Sequence, residues 1–159
     1  EDGIKAVQKV IARGYDLQLV VFGEKLEDPQ TLFDAAGFNF EYHYRPAGEQ
    51  LRKIYTSCDI FLCSSWYEGL GLTAMEAMAC RCSLVTTDTG GCLEYAIDGK
   101  TALVSASRDI SGLSQNLIRL LEDEALLESL SEGGYDKVNE YNWEESCDQL
   151  IGFFNESLV

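Results

Sequence analysis

DIFLCSSWYEGLGLTAMEAMA, residues 59–79, sets a strand, a loop and a helix in the order that an α/β fold needs. Asp59-Ile60-Phe61-Leu62-Cys63 is a short apolar run and predicts a buried strand. From Leu72 to Arg81 the pattern is helical. Between them, residues 64–68 form a loop, and Gly69 and Gly71, lacking a Cβ, let the backbone come close to whatever faces it. In open parallel sheets ligands bind outside the carboxyl ends of the strands. A helix N-terminus at that edge offers free N–H groups and a partial charge of about +0.5, which suits phosphate.

Two carboxylates lie in this unit, Glu68 in the loop and Glu76 in the helix. Ala74, Met75, Ala77, Met78 and Ala79 make the helix apolar almost all round, so it is expected to be buried. A buried carboxylate needs a partner, and adjacent hydroxyls such as those of a ribose can donate to both of its oxygens. Thr73-x-x-Glu76 also matches a capping box, in which Glu76 would bond a backbone N–H. The local pattern leaves both roles open.

Outward from this stretch, strands alternate with helices. Helices are expected at residues 2–13, 29–36, 49–57, 93–96, 110–121, 124–139 and 143–157, with Gly133-Gly134 a weak point in the sixth. Strands are expected at residues 17–22, 38–44, 83–87 and 102–104, besides the one at 59–63. This alternation means an α/β fold, a Rossmann-like open parallel sheet with helices on both faces. The 159 residues suit one domain.

Twelve basic and twenty-seven acidic residues give a net charge of −15. That balance disfavours nucleic acid, which needs a basic footprint, and an anionic membrane surface. The six cysteines make no C-x-x-C pair and His43 is the single histidine, so no metal site is expected. Most of the cysteines stand in apolar runs and are expected to be reduced, in a cytoplasmic chain. The start within a helical pattern, without Met, suggests a piece of a longer protein.

Several motifs together carry a resemblance. Glu68-Gly69-Leu70-Gly71-Leu72, Glu76-Ala77-Met78-Ala79, Gly90-Gly91 with Glu94, Asp98-Gly99, Leu103-Val104 and Tyr141-Asn142-Trp143 resemble the family-4 retaining glycosyltransferases, the glycosyl transferases group 1. The resemblance implies a GT-B fold, two Rossmann-like domains with the active site between them. Residues 1–140 would be the C-terminal, donor-binding domain, and residues 141–159 a helix crossing back to the absent N-terminal domain. It further implies that Glu76 accepts hydrogen bonds from the nucleotide ribose. Glu68 would face the donor hexose and the developing charge near its anomeric carbon, the catalytic position. The backbone of Gly69, Leu70, Gly71 and Leu72 would hold hexose hydroxyls and diphosphate. Gly23, Tyr44 and Arg45 would lie near the base.

The partners implied are a nucleotide-diphosphate-sugar donor and an acceptor glycan or lipid bound through the missing domain. Transfer would proceed with retention, without metal or cofactor, in glycan, lipopolysaccharide or related polysaccharide synthesis, in the cytoplasm or at the inner membrane face. The piece by itself is expected to be inactive, and Phe153 and Phe154 to favour its self-association.

The sequence departs from the family in places. Cys63-Ser64-Ser65 stands where proline-serine is usual, Arg81 where glycine is usual, and Ser83 where proline is usual. The domain's first strand and its phosphate-binding Arg and Lys would precede the helix that opens this chain. That strand is central in the order 3-2-1-4-5-6, so another segment or a partner is expected to fill its place, or the sheet to reorganise. The competing classes are a non-catalytic nucleotide-sugar-binding or interaction module of the same fold, and other GT-B enzymes such as an epimerase or a phosphorylase. No lysine stands in a context suited to pyridoxal phosphate, which disfavours the last.

Overall fold

The computed structural model describes residues 1–24, 37–38 and 40–157. The helix expected at residues 29–36 lies outside them. Helix α1 (Asp2–Ile11) precedes β1 (Leu19–Gly23), and β2 (Phe40–Tyr44) leads through α2 (Glu49–Thr56) to β3 (Ile60–Cys63). Then come α3 (Leu72–Ala79), β4 (Ser83–Thr87), a 3-10 turn (Gly91–Glu94) and β5 (Ala102–Ser105). Three helices close the chain: α4 (Ile110–Glu122), α5 (Glu124–Asn139) and α6 (Trp143–Ser157).

All strand pairs are parallel. β1 pairs with β2, Gly23 opposite Tyr44. β4 lies between β3 and β5, with Leu84 opposite Ala102 and Val85 opposite Leu103. Because side chains alternate along a strand, these two pairs feed different cores. Val85 and Leu103 join Ala6, Val7 and Val10 of α1, Leu113 and Leu117 of α4, and Leu130 of α5. Leu84 and Ala102 join Ala74 and Met78 of α3, Tyr95, and Val138 of α5. Each fully buried large apolar side chain contributes about 1.5–3 kcal/mol, so β4, buried at every residue, anchors both layers.

Among the described residues no strand lies between β1 and β3, and the strands form a sheet of two and a sheet of three. Of the three outcomes expected for the central place, a further segment, a partner or a reorganised sheet, the division into two sheets matches the last. Side chains span the division where backbone pairing does not. Phe22 of β1 stacks on Phe61 of β3 with ring centroids 6.3 Å apart, and Tyr55 of α2 meets both edge-on at 5.5 and 5.7 Å. On the other face Leu19, Ile60 and Leu62 pack against the cluster that holds α1.

Other expectations change in detail. The turn after Gly90 is a 3-10 helix at Gly91–Glu94, earlier than the helix expected at residues 93–96. Gly133 and Gly134 do not weaken α5, which runs unbroken. They let it approach a turn, since a Cβ on Gly133 would come within 2.4 Å of the Lys100 carbonyl oxygen. Helix α3 ends at Ala79, two residues short of the expected Arg81. Arg81 has φ 67° there. The Arg81 and Cys82 N–H groups turn back to the Met78 and Ala77 carbonyls, the Schellman closure that normally uses glycine. All six cysteines are free thiols; Cys82 and Cys92 are buried, and Cys147 is exposed. Among the residues of α6 whose burial is described none is buried, and Phe153 and Phe154 are exposed.

Candidate active site

The loop after β3 carries Glu68, Gly69, Leu70 and Gly71, and α3 carries Leu72 at its start and Glu76 one turn in. Gly71 is the N-cap, in the left-handed conformation at φ 80°. A Cβ there would lie 2.7 Å from the Tyr95 hydroxyl, so glycine is required twice over. Tyr95, fully buried, donates that hydroxyl to the Gly71 carbonyl at 3.1 Å. Burial pushes its phenol pKa well up, with the charges of nearby Cys92, Cys63 and Glu68 adding to it.

The Ala74 and Met75 N–H groups bond the Gly71 carbonyl at 3.0 and 3.4 Å. Those of Leu72 and Thr73 are left among the donors that a helix start cannot satisfy from within. Among the described residues no side chain caps them. The capping box is thus absent: Thr73 is inside the helix, and Glu76 instead accepts from the Tyr55 hydroxyl at 3.2 Å.

The expectation of a buried Glu76 is also corrected. Glu76 is exposed, as are Leu72, Thr73 and Ala79, while Ala74, Ala77 and Met78 face the core. Alanine and methionine are apolar enough for either side, and a run of them conceals which face is wet. The sequence gives no partner for Glu76 by spacing, since Tyr55 lies 21 residues away. Burial first, and then the Glu76 carboxylate, raise the Tyr55 pKa far above the usual phenol range, so Tyr55 stays a donor.

Glu68 is half-buried. Its N–H bonds the Thr89 carbonyl at 3.2 Å, and it bridges to Gly90. Its Cβ lies 3.9 Å from where a Cβ on Gly71 would stand, so the carboxylate departs beside the helix start. Gly91 presses on the same loop: a Cβ on it would fall 1.4 Å from the Gly69 carbonyl oxygen. Gly69 itself has open space at its Cβ position. The paired glycines of residues 90–91 thus serve the site loop, a role legible only as a break in the sequence.

Gly23, Tyr44 and Arg45 meet at the carboxyl ends of β1 and β2. The Arg45 N–H bonds the Gly23 carbonyl at 2.8 Å, and Tyr44 is exposed. Tyr42 donates to the Gly23 and Glu24 carbonyls at 3.2 and 2.6 Å. Phe22, next to Gly23, touches Tyr55, which holds Glu76, so one aromatic ring joins the two groups of site residues. The sequence offered no sign of Tyr55, Tyr95 or Thr89 in this role. Among the described residues no cluster of His, Cys, Asp and Glu could hold a metal ion, and no helix is long and apolar enough to cross a membrane.

Residues 1–137 match the family described as glycosyl transferases group 1. The D-inositol 3-phosphate glycosyltransferase of Corynebacterium jeikeium is 30% identical over 166 residues, covering 96% of this chain and 39% of that protein. The chain spans less than half the length of the curated relatives it matches. Among solved structures, the C-terminal domain of a glycosyl transferase group 1 family protein from Francisella tularensis superposes with a TM-score of 0.75 at 26% identity. That match covers 87% of this chain and 76% of that one. The pneumococcal O-GlcNAc transferase, solved with UDP and GlcNAc, shares the fold with a TM-score of 0.76 at 21% identity, over 98% of this chain and 32% of its own.

Proposed function

The chain belongs to the glycosyl transferases group 1 family, with the fold of the C-terminal half of a GT-B enzyme, and from that premise we propose that it is the donor-binding domain of a retaining glycosyltransferase. The parent protein would move a sugar from a nucleotide-diphosphate-sugar to an acceptor glycan or lipid, in the cytoplasm or at the inner membrane face.

One observation carries this reading. Glu76 is a solvent-facing carboxylate steadied by a buried tyrosine, one turn into a helix whose first N–H groups are uncapped. A carboxylate with one oxygen held in this way keeps the other for vicinal hydroxyls, and so suits a ribose. The Leu72 and Thr73 N–H groups then face phosphate oxygens, where a helix start stabilises negative charge. Glu68, nearer the loop, is left for the sugar. As the donor bond breaks, charge grows on the departing diphosphate, and preoriented N–H donors stabilise it more than they stabilise the ground state.

The test is titration of UDP-, GDP- and ADP-glucose into the full-length protein and its Glu76→Ala variant. We expect the preferred nucleotide sugar to bind at least tenfold more weakly to the variant, with folding unchanged. Equal affinity would overturn the ribose assignment.

A further inference from the structure

The loop that carries Glu68 is held from three other parts of the chain, and three of the contacts fall on Trp66. Its indole N–H donates to Asp2 Oδ2 of α1 at 2.7 Å. Its ring lies under the Arg108 guanidinium, 4.0 Å from the centroid. Its carbonyl accepts from the Ser107 hydroxyl at 3.3 Å. On one side Ser65 accepts from the Thr87 hydroxyl of β4. On the other, Glu68 bonds Thr89. Gly3 of α1 lies so close to Ser64 that a Cβ would come within 2.8 Å of its hydroxyl.

Trp66 is nonetheless 54% exposed. It joins no hydrophobic core, so packing does not account for it. Indole suits the place because it offers one N–H donor at its edge and a π-face for a cation. Arg108 holds its half of the contact at φ 66°, a conformation unfavourable for a side-chain-bearing residue. Strained backbone of this kind persists where surrounding contacts over-determine it.

We propose that Trp66 is a positioning residue: the clip of Asp2, Trp66 and Arg108 sets where Glu68 stands relative to the start of α3. This rests on the reading of Glu68 as the carboxylate that faces the sugar. Trp66 touches no reacting atom; it acts two residues away, by fixing the loop from α1 and from the β5–α4 connection at once. A group needed only at the transition state loses its effect when displaced, so a loosened clip lowers kcat and leaves donor binding to Glu76 and the helix start.

The experiment uses full-length protein with Trp66→Phe, Trp66→Ala, Asp2→Ala and Glu68→Gln, each assayed on UDP-, GDP- and ADP-glucose. Amide exchange at Glu68 is followed in parallel. We expect Trp66→Ala to lower kcat at least tenfold with KM for the donor within twofold, and to speed exchange at Glu68 at least tenfold at unchanged melting temperature. Trp66→Phe, which keeps the ring over Arg108 but loses the N–H, should fall between Trp66→Ala and wild type and match Asp2→Ala. Normal kcat in Trp66→Ala, while Glu68→Gln has lost turnover, overturns the clip alone. Normal turnover in Glu68→Gln overturns the site reading, and the clip with it. If none of the three donors turns over, exchange decides: an unchanged rate at Glu68 in Trp66→Ala overturns the clip.

Discussion

The Tyr55 hydroxyl donates to Glu76 Oε2 at 3.2 Å, tying a buried residue of α2 to an exposed carboxylate of α3. Tyr55→Phe removes the donor and keeps the ring edge-on against Phe22 and Phe61. A net loss of about 1 kcal/mol of stability is expected, the usual worth of one hydrogen bond. Tyr55→Ala removes the ring as well and should cost about 3–5 kcal/mol. The Phe variant should also bind donor severalfold more weakly, because Glu76 loses its fixed rotamer. Urea unfolding with a donor titration checks both; wild-type affinity in Tyr55→Phe would show that Glu76 needs no steadying.

Alkaline pH should destabilise the fold. Burial pushes the Cys82 thiol up to about 12 and raises the Tyr55 and Tyr95 phenols. In each case the folded chain keeps a proton that the unfolded chain releases at its ordinary pKa. The stabilisation is therefore complete below about pH 8.5, the ordinary thiol value, and is lost as pH rises through the folded values. The slope is up to about 1.4 kcal/mol per pH unit for each group titrating only when unfolded. The urea midpoint should fall from pH 8 to 10.5, and Cys82→Ala should flatten the first part of that fall. A midpoint constant over this range would mean that these groups are wet.

Gly69 and Gly91 lie against each other, yet alanine at the two positions should differ sharply in its cost to stability. A Cβ on Gly91 would strike the Gly69 carbonyl oxygen at 1.4 Å, so Gly91→Ala must push the site loop away. It should cost at least about 2 kcal/mol and weaken donor binding. Gly69→Ala meets nothing within 4 Å, and its stability should stay within about 0.5 kcal/mol of wild type. On the proposed function its new methyl stands where a hexose or phosphate approaches, so donor affinity should still fall tenfold or more. Thermal melting beside donor titration separates the two; a Gly69→Ala protein that binds donor normally would move the ligand elsewhere.

What the sequence reveals and what it conceals follow one line. Periodicity locates α4, α5 and α6 within a residue, because those helices have long patterns, and β4 within none. The site's backbone is equally legible, since Gly69, Gly71, Gly90 and Gly91 mark places where no Cβ fits or the chain bends. Side-chain partnership is not legible. Tyr55 and Glu76, or Trp66 with Asp2 and Arg108, are brought together by the fold over 21 to 64 residues, and no local pattern encodes such distances. The burial of α3 fails for a different reason: a helix of alanine and methionine has little amphipathic contrast, and its one exposed carboxylate becomes visible only when Tyr55 is placed.

Arg81 poses a contest between backbone and side chain that mutation can resolve. At φ 67° it sits where glycine is preferred by roughly 1 kcal/mol. Its guanidinium lies over the Tyr135 ring at 4.0 Å, worth about 0.5–1 kcal/mol near a surface. Its carbonyl accepts from the Ser131 hydroxyl at 2.7 Å, which any residue there can keep. Arg81→Gly relieves the backbone and loses the ring contact, and should be nearly neutral. Arg81→Ala loses the contact and keeps the unfavourable backbone, and should destabilise by about 0.5–1 kcal/mol. In a Tyr135→Leu background the contact is already gone, so Arg81→Gly should there stabilise by about 1 kcal/mol. Urea midpoints of this set measure the coupling directly. If Arg81→Gly had the same effect in both backgrounds, the stacked guanidinium would contribute nothing, and Arg81 would stand as an unrelieved strain at the exit of the site helix.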